Sequence, residues 1–230
     1  MSILTLLFPY ICAVCHRQTR HHVHHNLCDE CCETLIHPPK ICIFCDTFGS
    51  FLCHFCKKSV PKLEKIHIAF QYDTAIKQLI QQLKYSLKPY LAETISFITW
   101  QHHIHFFESL PTDTIIMPMP SGRLRVAKRG YNPAALIAKN LAQLSGLHYS
   151  EHYLLKKAFS IPQTSLSRHE RLQNLNNQFY LNHKYYRQPN LPPILLIDDV
   201  ITTGRSFEKA MEKLNNPQTK QLFGLFIAQS

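Results

Sequence analysis

The sequence predicts an α/β body with a mostly parallel sheet flanked by helices, preceded by a small cysteine-rich head. Three observations support this division. All nine cysteines lie within residues 12–56. Strand and helix signals alternate from residue 66 onward, and the strand signal at residues 194–198 is an apolar run, uninterrupted up to Asp198, that is typical of the centre of a parallel sheet. We therefore expect a head over residues 1–60 and a body over residues 61–230.

The net charge and the hydropathy of the chain indicate which kinds of binding partner to expect. The chain has 25 Lys and Arg against 15 acidic residues, which favours nucleic acid or a phosphorylated metabolite, although ordinary solubility charge gives the same count. No stretch reaches the roughly 20 apolar residues of a membrane helix, so we expect no membrane insertion. Residues 2–10 lack a basic start and are broken by Pro9, so we expect a short docked helix and a cytoplasmic location with reduced cysteines.

Eight of the nine cysteines form four Cys-x-x-Cys pairs. Two such pairs supply the four tetrahedral sulfurs that structural zinc prefers. Sequential pairing needs the shorter loops and is favoured over crossed pairing, so two structural zinc ions (Zn2+) are expected. The predicted ligands are Cys12, Cys15, Cys28 and Cys31 at the first site and Cys42, Cys45, Cys53 and Cys56 at the second.

The ninth cysteine leaves one alternative open. Cys32 directly follows Cys31 and could replace it, although only Cys31 has the Cys-x-x-Cys spacing. The histidine run at residues 21–25 is expected to be a solvated loop. The cysteine-containing segment of the head, about 45 residues long, buries too little apolar surface to fold unaided. Metal binding should therefore supply its folding free energy. Its basic residues suit a nucleic-acid or protein surface, with a plain docking module as the alternative.

The body shows strands and helices in alternation. The strand signals are apolar alternation or apolar runs, and the helix signals are apolar residues at helical spacing after Asp73 or after Asn132 and Pro133. A loop is expected after Pro120 because two prolines end the strand there. The predicted strands cover 66–72, 114–120, 194–198 and 222–228, and the predicted helices 73–87, 91–107, 133–146 and 207–214. Residues 170–184 give no clear signal.

A polar segment follows the strongest strand, where open parallel sheets bind ligands. Asp198 and Asp199 leave the strand end together and can accept hydrogen bonds from a vicinal diol such as a ribose. The Thr-Thr-Gly turn at residues 202–204 precedes a helix whose free amides and positive dipole end suit a phosphate. Ser206 or Thr203 could instead simply cap the helix, but capping does not explain two adjacent acids.

This segment resembles the phosphoribosylpyrophosphate loop of type I phosphoribosyltransferases. Upstream residues narrow the resemblance to the ComF family of bacterial DNA-uptake proteins. Met117-Pro-Met-Pro120, with Arg123 and Arg125, and Lys128-Arg129-Gly130-Tyr131-Asn132 are similar to that family's Pro-x-Pro and Arg-Gly-Phe-Asn-Gln blocks, and residues 162–174 to its next block. With the cysteine pairs, the similarity covers nearly the whole chain. Pro133 and Lys156 depart from the usual Gln and Arg.

The resemblance implies a type I phosphoribosyltransferase fold that binds 5-phosphoribosyl-1-pyrophosphate (PRPP) with magnesium (Mg2+). The acids would hold the ribose hydroxyls, and the loop would wrap the 5-phosphate. Arg123, Lys128 and Arg129 would contact pyrophosphate or DNA, unless they are ordinary exposed charges. The implied PRPP-binding residues are Asp198, Asp199, Val200, Ile201, Thr202, Thr203, Gly204, Arg205 and Ser206.

The resemblance also implies a function in natural transformation. The expected protein handles incoming single-stranded DNA in the cytoplasm, with a competence helicase or recombination protein as its partner. Two alternatives stay open. One is an active phosphoribosyltransferase that uses a base as acceptor, for which the sequence shows neither a base pocket nor a catalytic residue. The other is a metabolite-sensing regulator that binds nucleic acid.

Overall fold

The computed structural model describes residues 10–19, 26–157, 178–182, 184 and 190–230. The docked helix expected before Tyr10, the histidine run at 21–25 and the block at 162–174 lie outside the described residues. The strands are β1 Tyr10–Ile11, β2 Gln18–Thr19, β3 Leu63–Gln71, β4 Ile115–Pro118, β5 His148–Tyr149, β6 Leu154–Lys156, β7 Phe179–Leu181, β8 Ile194–Ile201 and β9 Leu222–Gln229. The helices are α1 Asp29–Glu33, α2 His54–Lys57, α3 Thr74–Tyr85, α4 Leu91–His102, α5 Ile104–Glu108, α6 Arg123–Arg129, α7 Pro133–Ser145 and α8 Arg205–Leu214.

The body is built on a five-stranded parallel sheet in the order β3-β9-β8-β4-β5. β8 is the central strand, and its first four residues, 194–197, are almost completely buried. Burial on both faces is why this segment reads as a continuous apolar run. The parallel sheet with flanking helices confirms the predicted α/β class, and the cysteine-rich head precedes it in the chain. None of the helices in the described segments is long and apolar enough to span a membrane.

The head contains two similar units. In the first, β1 pairs with β2, and the sulfur of Cys28 caps α1 by accepting the amide of Cys31 at 3.4 Å. In the second, Ile41 bridges Phe48, and the sulfur of Cys53 caps α2 in the same way. The repeat of strand pair and sulfur-capped turn follows from the repeated Cys-x-x-Cys spacing.

The head packs directly on the body. In the first unit, Ala13 is buried and its carbonyl accepts a hydrogen bond from Nε2 of Gln82 on α3 at 2.6 Å. In the second unit, Ile43 and Phe51 belong to the same buried cluster as Phe207 of α8. Each cysteine unit therefore contacts a different wall of the body.

The structure differs from the predicted elements in several places. β8 continues to Ile201, so Asp198 and Asp199 lie within the strand and not at its end, and β5, β6 and β7 were not predicted because two or three residues are too few to show an alternation. Residues 123–129, expected as a loop, form α6, which Gly130 ends at φ 83°. These residues include neither Gly nor Pro and favour helix. None of them is buried, so the sequence shows no apolar residues at helical spacing that would predict α6. The helix expected to reach Leu87 ends at Tyr85, and Leu87 is 64% exposed. His103 divides the expected helix 91–107 into α4 and α5.

One close contact fixes α8 against the sheet. A Cβ added at Gly224 of β9 would lie 2.5 Å from Cζ of Phe207. Because both the strand and the ring are buried, we expect Gly224→Ala to lower the free energy of unfolding by about 1–3 kcal/mol. Gly122→Ala is the control, since nothing lies within 4 Å of its Cβ, and we expect a change below about 0.5 kcal/mol. Chemical denaturation of both variants measures the difference, and equal losses would contradict the contact.

Candidate sugar-phosphate and metal sites

A cavity of about 700 Å³ lies at the carboxyl ends of β4 and β8. Its size and position are those of small-ligand sites in open parallel sheets. The end of α3, the segment after β4, α6 and β6 supply its walls. The lining residues are Lys84, Tyr85, Leu87, Met119, Pro120, Ser121, Arg125, Lys128, Arg129, Asn132, Pro133, Lys156, Phe179, Asp198, Asp199, Val200 and Ser206.

Asp198 and Asp199 follow the last residue of β8 that pairs with β4, and both of their carboxylates line this cavity. Oδ1 of Asp198 accepts the amide of Asp199 at 2.9 Å, and Oδ1 of Asp199 accepts Nζ of Lys84 at 2.7 Å. Burial, followed by the adjacent charge of Asp199, raises the pKa of Asp198 to about 7. The two acids therefore differ: Asp199 is held in an ion pair, whereas Asp198 faces the cavity as a carboxyl group that titrates near neutral pH.

Among the residues that the structure describes, five cationic side chains line the same cavity. Lys84 pairs with Asp199, and Arg125, Lys128 and Arg129 all come from α6. Burial and the charge of Arg125 lower the pKa of the fifth, Lys156, whereas the charge of Asp198 raises it. Five cations against two carboxylates make the cavity suited to a ligand that carries several negative charges.

Two hydrogen bonds hold the cationic wall in place. The hydroxyl of Tyr131, just after α6, donates to the carbonyl of Leu83 on α3 at 2.5 Å. Nδ2 of Asn132 donates to the carbonyl of Met119 at 3.0 Å. The guanidinium of Arg129 lies 5.5 Å from the ring centre of Tyr85, which is 75% exposed. The cavity mouth thus combines fixed cations with an open aromatic face.

The loop after β8 leaves backbone donors available. Within the described part of the chain, the amides of residues 202–206 donate to no protein acceptor, and the first helical bond is from Glu208 N to Gly204 O at 2.8 Å. Thr202, Thr203 and Ser206 are exposed. Unpaired amides at the start of a ten-residue helix suit an anion.

The structure places half of the predicted ligand residues on the cavity wall. Of the predicted loop, Asp198, Asp199, Val200 and Ser206 line the cavity, whereas Ile201 is buried beneath it. Thr202, Thr203, Gly204 and Arg205 complete the turn beside it. Lys128 and Arg129 line the cavity. Arg123 is at the start of α6 and is not among the lining residues.

Sequence reasoning gave no binding role to Lys84, Tyr85, Arg125 or Lys156. Lys84 and Tyr85 end a helix that lies more than 100 residues before β8, and only the fold brings them to the acids. In the sequence, Arg125 belongs to a block that resembles the ComF pattern and Lys156 is a departure from it, and neither fact indicates a ligand contact. The sequence shows only that these residues carry cationic or aromatic side chains. It does not show which of them face the cavity.

The head gathers eight cysteines into two groups of four. Cys12, Cys15, Cys28 and Cys31 form the first cluster, and Cys42, Cys45, Cys53 and Cys56 the second, with all sulfurs of a cluster within 4.8 Å of one another. Representative Sγ–Sγ distances are 3.7 Å in the first cluster and 3.5 Å in the second. A tetrahedron with zinc–sulfur bonds of about 2.3 Å has edges of about 3.8 Å. The donor sets therefore fit a structural metal ion such as zinc.

Local hydrogen bonds prepare one thiol of each cluster for metal. The amide of Arg17 lowers the pKa of Cys15 to about 6, and the hydroxyl and amide of Thr47 lower the pKa of Cys45 to about 6. Burial raises the pKa of Cys31 and of Cys56. Since metal binds thiolates, loading each cluster must displace protons from the buried thiols.

Cys32 faces away from the first cluster. Its sulfur lies 3.5 Å from Nε2 of His102 on α4, and its side chain is buried. The structure thus places Cys31 in the cluster and Cys32 at the contact between head and body, as the Cys-x-x-Cys spacing favoured.

The chain is similar in sequence to a competence protein and to DNA utilization proteins. Competence protein F of Haemophilus influenzae is 28% identical over 95% of this chain and 97% of its own length. DNA utilization protein YhgH of Shigella flexneri is 24% identical over 94% of this chain and 89% of its own. The predicted resemblance to the ComF family is confirmed. The YhgH protein of Escherichia coli K12 is 24% identical over 89% of this chain and 83% of its own. No family model matches the chain.

Two solved structures align with this chain at a TM-score of 0.39. An adenine phosphoribosyltransferase is 18% identical over 62% of this chain and 72% of its own. The adenine phosphoribosyltransferase of Saccharomyces cerevisiae, in complex with an imino-altritol bisphosphate and adenine, is 17% identical over 62% and 70%. The parallel order of the sheet, and not these alignments, supports the α/β class.

Metal content tests the cysteine clusters. We expect two zinc ions per chain, and one after Cys15→Ser or after Cys45→Ser, because each removes a ligand from a different cluster. Cys32→Ser is the matched control and should keep two, since its sulfur faces His102. Inductively coupled plasma spectrometry measures the content. Loss of a metal from the Cys32 variant would contradict the cluster assignment.

The pKa of Asp198 predicts a pH-dependent stability. Between about pH 4 and pH 7 the unfolded chain has lost this proton and the native protein retains it, so the free energy of unfolding falls as pH rises. Asparagine cannot ionise, so Asp198→Asn should unfold at a higher temperature than the wild type at pH 8, by about 2–4 °C for each 1 kcal/mol. At pH 5 the gain should be much smaller.

The control for this prediction is Asp113→Asn. The carboxylate of Asp113 lies 3.4 Å from Nζ of Lys220, and both side chains are exposed. Calorimetric melting of the three proteins at both pH values makes the comparison. If Asp198→Asn gains no more at pH 8 than at pH 5, the raised pKa of Asp198 is wrong.

Proposed function

We propose that the chain binds PRPP in the cavity at the end of β8 and acts in natural transformation, where it handles incoming single-stranded DNA in the cytoplasm. The observation that carries the proposal is the combination of a carboxylate pair, unpaired loop amides and five cations around one cavity. These groups match the hydroxyls, the 5-phosphate and the pyrophosphate of PRPP. The similarity to competence and DNA utilization proteins supports the cellular context.

Each part of PRPP has a matching partner. The amides of residues 202–206 receive the 5-phosphate, aided by the hydroxyls of the loop. Asp198, in its ionised form, accepts hydrogen bonds from the ribose hydroxyls beside the Lys84–Asp199 pair. The cations of α6 and Lys156 face the pyrophosphate, and a magnesium ion bound with PRPP neutralises the remaining charge.

The DNA contact is assigned to the mouth of this cavity. The guanidinium of Arg129 over the Tyr85 ring offers a charge for a phosphate next to an exposed aromatic face for a base. The net charge of +10 favours the same polyanion. A competence helicase or recombination protein is the expected protein partner.

Phosphoribosyl transfer is the second candidate function. The open ring of Tyr85 and the side chain of Leu87 lie on the cavity wall, where an acceptor base could stack next to bound PRPP. Transfer would join the base to the ribose carbon that carries the pyrophosphate and release that pyrophosphate. The binding function and the transferase share the PRPP site and differ only in turnover.

Isothermal titration with PRPP and magnesium tests the proposed site. We expect saturable binding by the wild type and at least about tenfold weaker binding by Asp198→Ala or Lys156→Ala, because one charged contact is worth about 1.5–3 kcal/mol. Lys220→Ala, an exposed lysine paired with Asp113, is the control and should bind as the wild type does. Zinc content should stay the same in all variants.

The wild type and Tyr85→Ala separate the candidate functions. Labelled single-stranded DNA is titrated with and without PRPP, and pyrophosphate release is assayed against a panel of bases. DNA affinity that falls steeply with salt, weakens in Tyr85→Ala and is accompanied by no release supports the binding function. Release with one base would establish transfer instead. If PRPP does not bind the wild type, the proposed site is wrong.

A further inference from the structure

The loop that follows β8 rests on the head. Gly204 has φ +65°, and a Cβ added there would lie 3.1 Å from the carbonyl oxygen of Ile43. The Cδ1 atoms of Ile201 and Ile43 would lie at 3.7 and 3.8 Å. Only glycine gives both this left-handed conformation and this close approach. The turn that presents the unpaired amides is therefore seated on the backbone of residue 43.

Ile43 lies in the chain segment that forms the second cysteine cluster. It lies between the ligand candidates Cys42 and Cys45, and its side chain is buried. Its amide donates to the carbonyl of Phe51 at 3.2 Å, and the sulfur of Cys42 accepts the amide of Cys53 at 3.4 Å. The position of the Ile43 carbonyl thus depends on the fold of residues 42–53, which four sulfurs around one ion would hold together.

The equivalent residue of the first cluster has a different contact. Ala13 stands between Cys12 and Cys15, as Ile43 stands between Cys42 and Cys45. The carbonyl of Ala13 accepts a hydrogen bond from Gln82 of α3. The two clusters therefore support different walls of the cavity, and the seat of Gly204 belongs to the second.

We propose that the second cysteine cluster positions the sugar-phosphate loop through the contact between Ile43 and Gly204. Metal occupancy of Cys42, Cys45, Cys53 and Cys56 and binding of a sugar phosphate then strengthen each other, because coupling between two sites is reciprocal. The contact described for the first cluster is with α3 and not with this loop, so we expect its metal to gain no such protection. This inference rests on the proposed sugar-phosphate site, and it assigns Ile43 and Gly204 as positioning residues.

Ligand protection of each metal tests the coupling. Cys45→Ser retains only the first cluster, and Cys15→Ser retains only the second. The rate of zinc release is measured with a colorimetric zinc chelator in the presence and absence of ribose 5-phosphate. This ligand carries the ribose hydroxyls and the 5-phosphate of PRPP and needs no magnesium. We expect ribose 5-phosphate to slow release at least about threefold in Cys15→Ser, which is the response of a ligand-coupled site. Release from Cys45→Ser should not change.

A substitution at Gly204 tests the same contact without removing a metal-binding cysteine. We expect Gly204→Ala to bind ribose 5-phosphate at least about tenfold more weakly than the wild type and to release one zinc faster, because its Cβ presses on the Ile43 carbonyl. Gly146→Ala is the matched control. Gly146 has φ +73°, nothing lies within 4 Å of its Cβ, and it ends α7 outside the cavity lining. It shares the backbone strain without the contact, so both readouts should match the wild type.

The outcomes distinguish this inference from the proposed function. If the wild type binds no ribose 5-phosphate or PRPP by calorimetry, the proposed function fails, and the coupling fails with it. If the wild type binds and both metals are protected equally, or neither is, the coupling alone is overturned. Weakened ribose 5-phosphate binding in Gly204→Ala with an unchanged rate of zinc release would also overturn the coupling. In that case the substitution changes the loop alone and does not reach the cysteine cluster.

Discussion

The site depends on one constraint: the central strand ends in a turn whose amides have no protein partner. β8 is buried on both faces, so its path is fixed by the strands beside it and by the apolar residues above and below. Where it leaves the sheet, the amides of residues 202–206 point to no acceptor in the described chain. Because Thr202, Thr203, Arg205 and Ser206 are exposed, solvent can reach this turn, and an anion can take the place of water on its donors.

The charges around the turn follow from the same geometry. Two adjacent acids near a strand end repel each other, and the fold compensates with Lys84 at 2.7 Å from Asp199. Among the described residues no ammonium forms an ion pair with Asp198, and burial raises its pKa to about 7. The ion pair therefore fixes one acid as a structural element of the wall and leaves the other as the one that responds to a ligand or to pH.

The sequence predicted the parts that depend on local chemistry. Cys-x-x-Cys spacing indicated the two clusters, and the apolar run at residues 194–198 indicated the central strand. The sequence did not predict contacts that only the tertiary fold creates: Lys84 against Asp199, Tyr85 beneath Arg129, and Gly204 against Ile43. It also missed α6, because a short helix with no buried side chain has no apolar period to detect.

Backbone amide chemical shifts during a titration with ribose 5-phosphate test the central claim most directly. The account predicts saturable shifts of the amides of residues 202–206, with smaller changes at residue 43, because the phosphate replaces water on these donors and the turn rests on that carbonyl. Unchanged shifts at residues 202–206, with binding that moves amides elsewhere in the body, would contradict it.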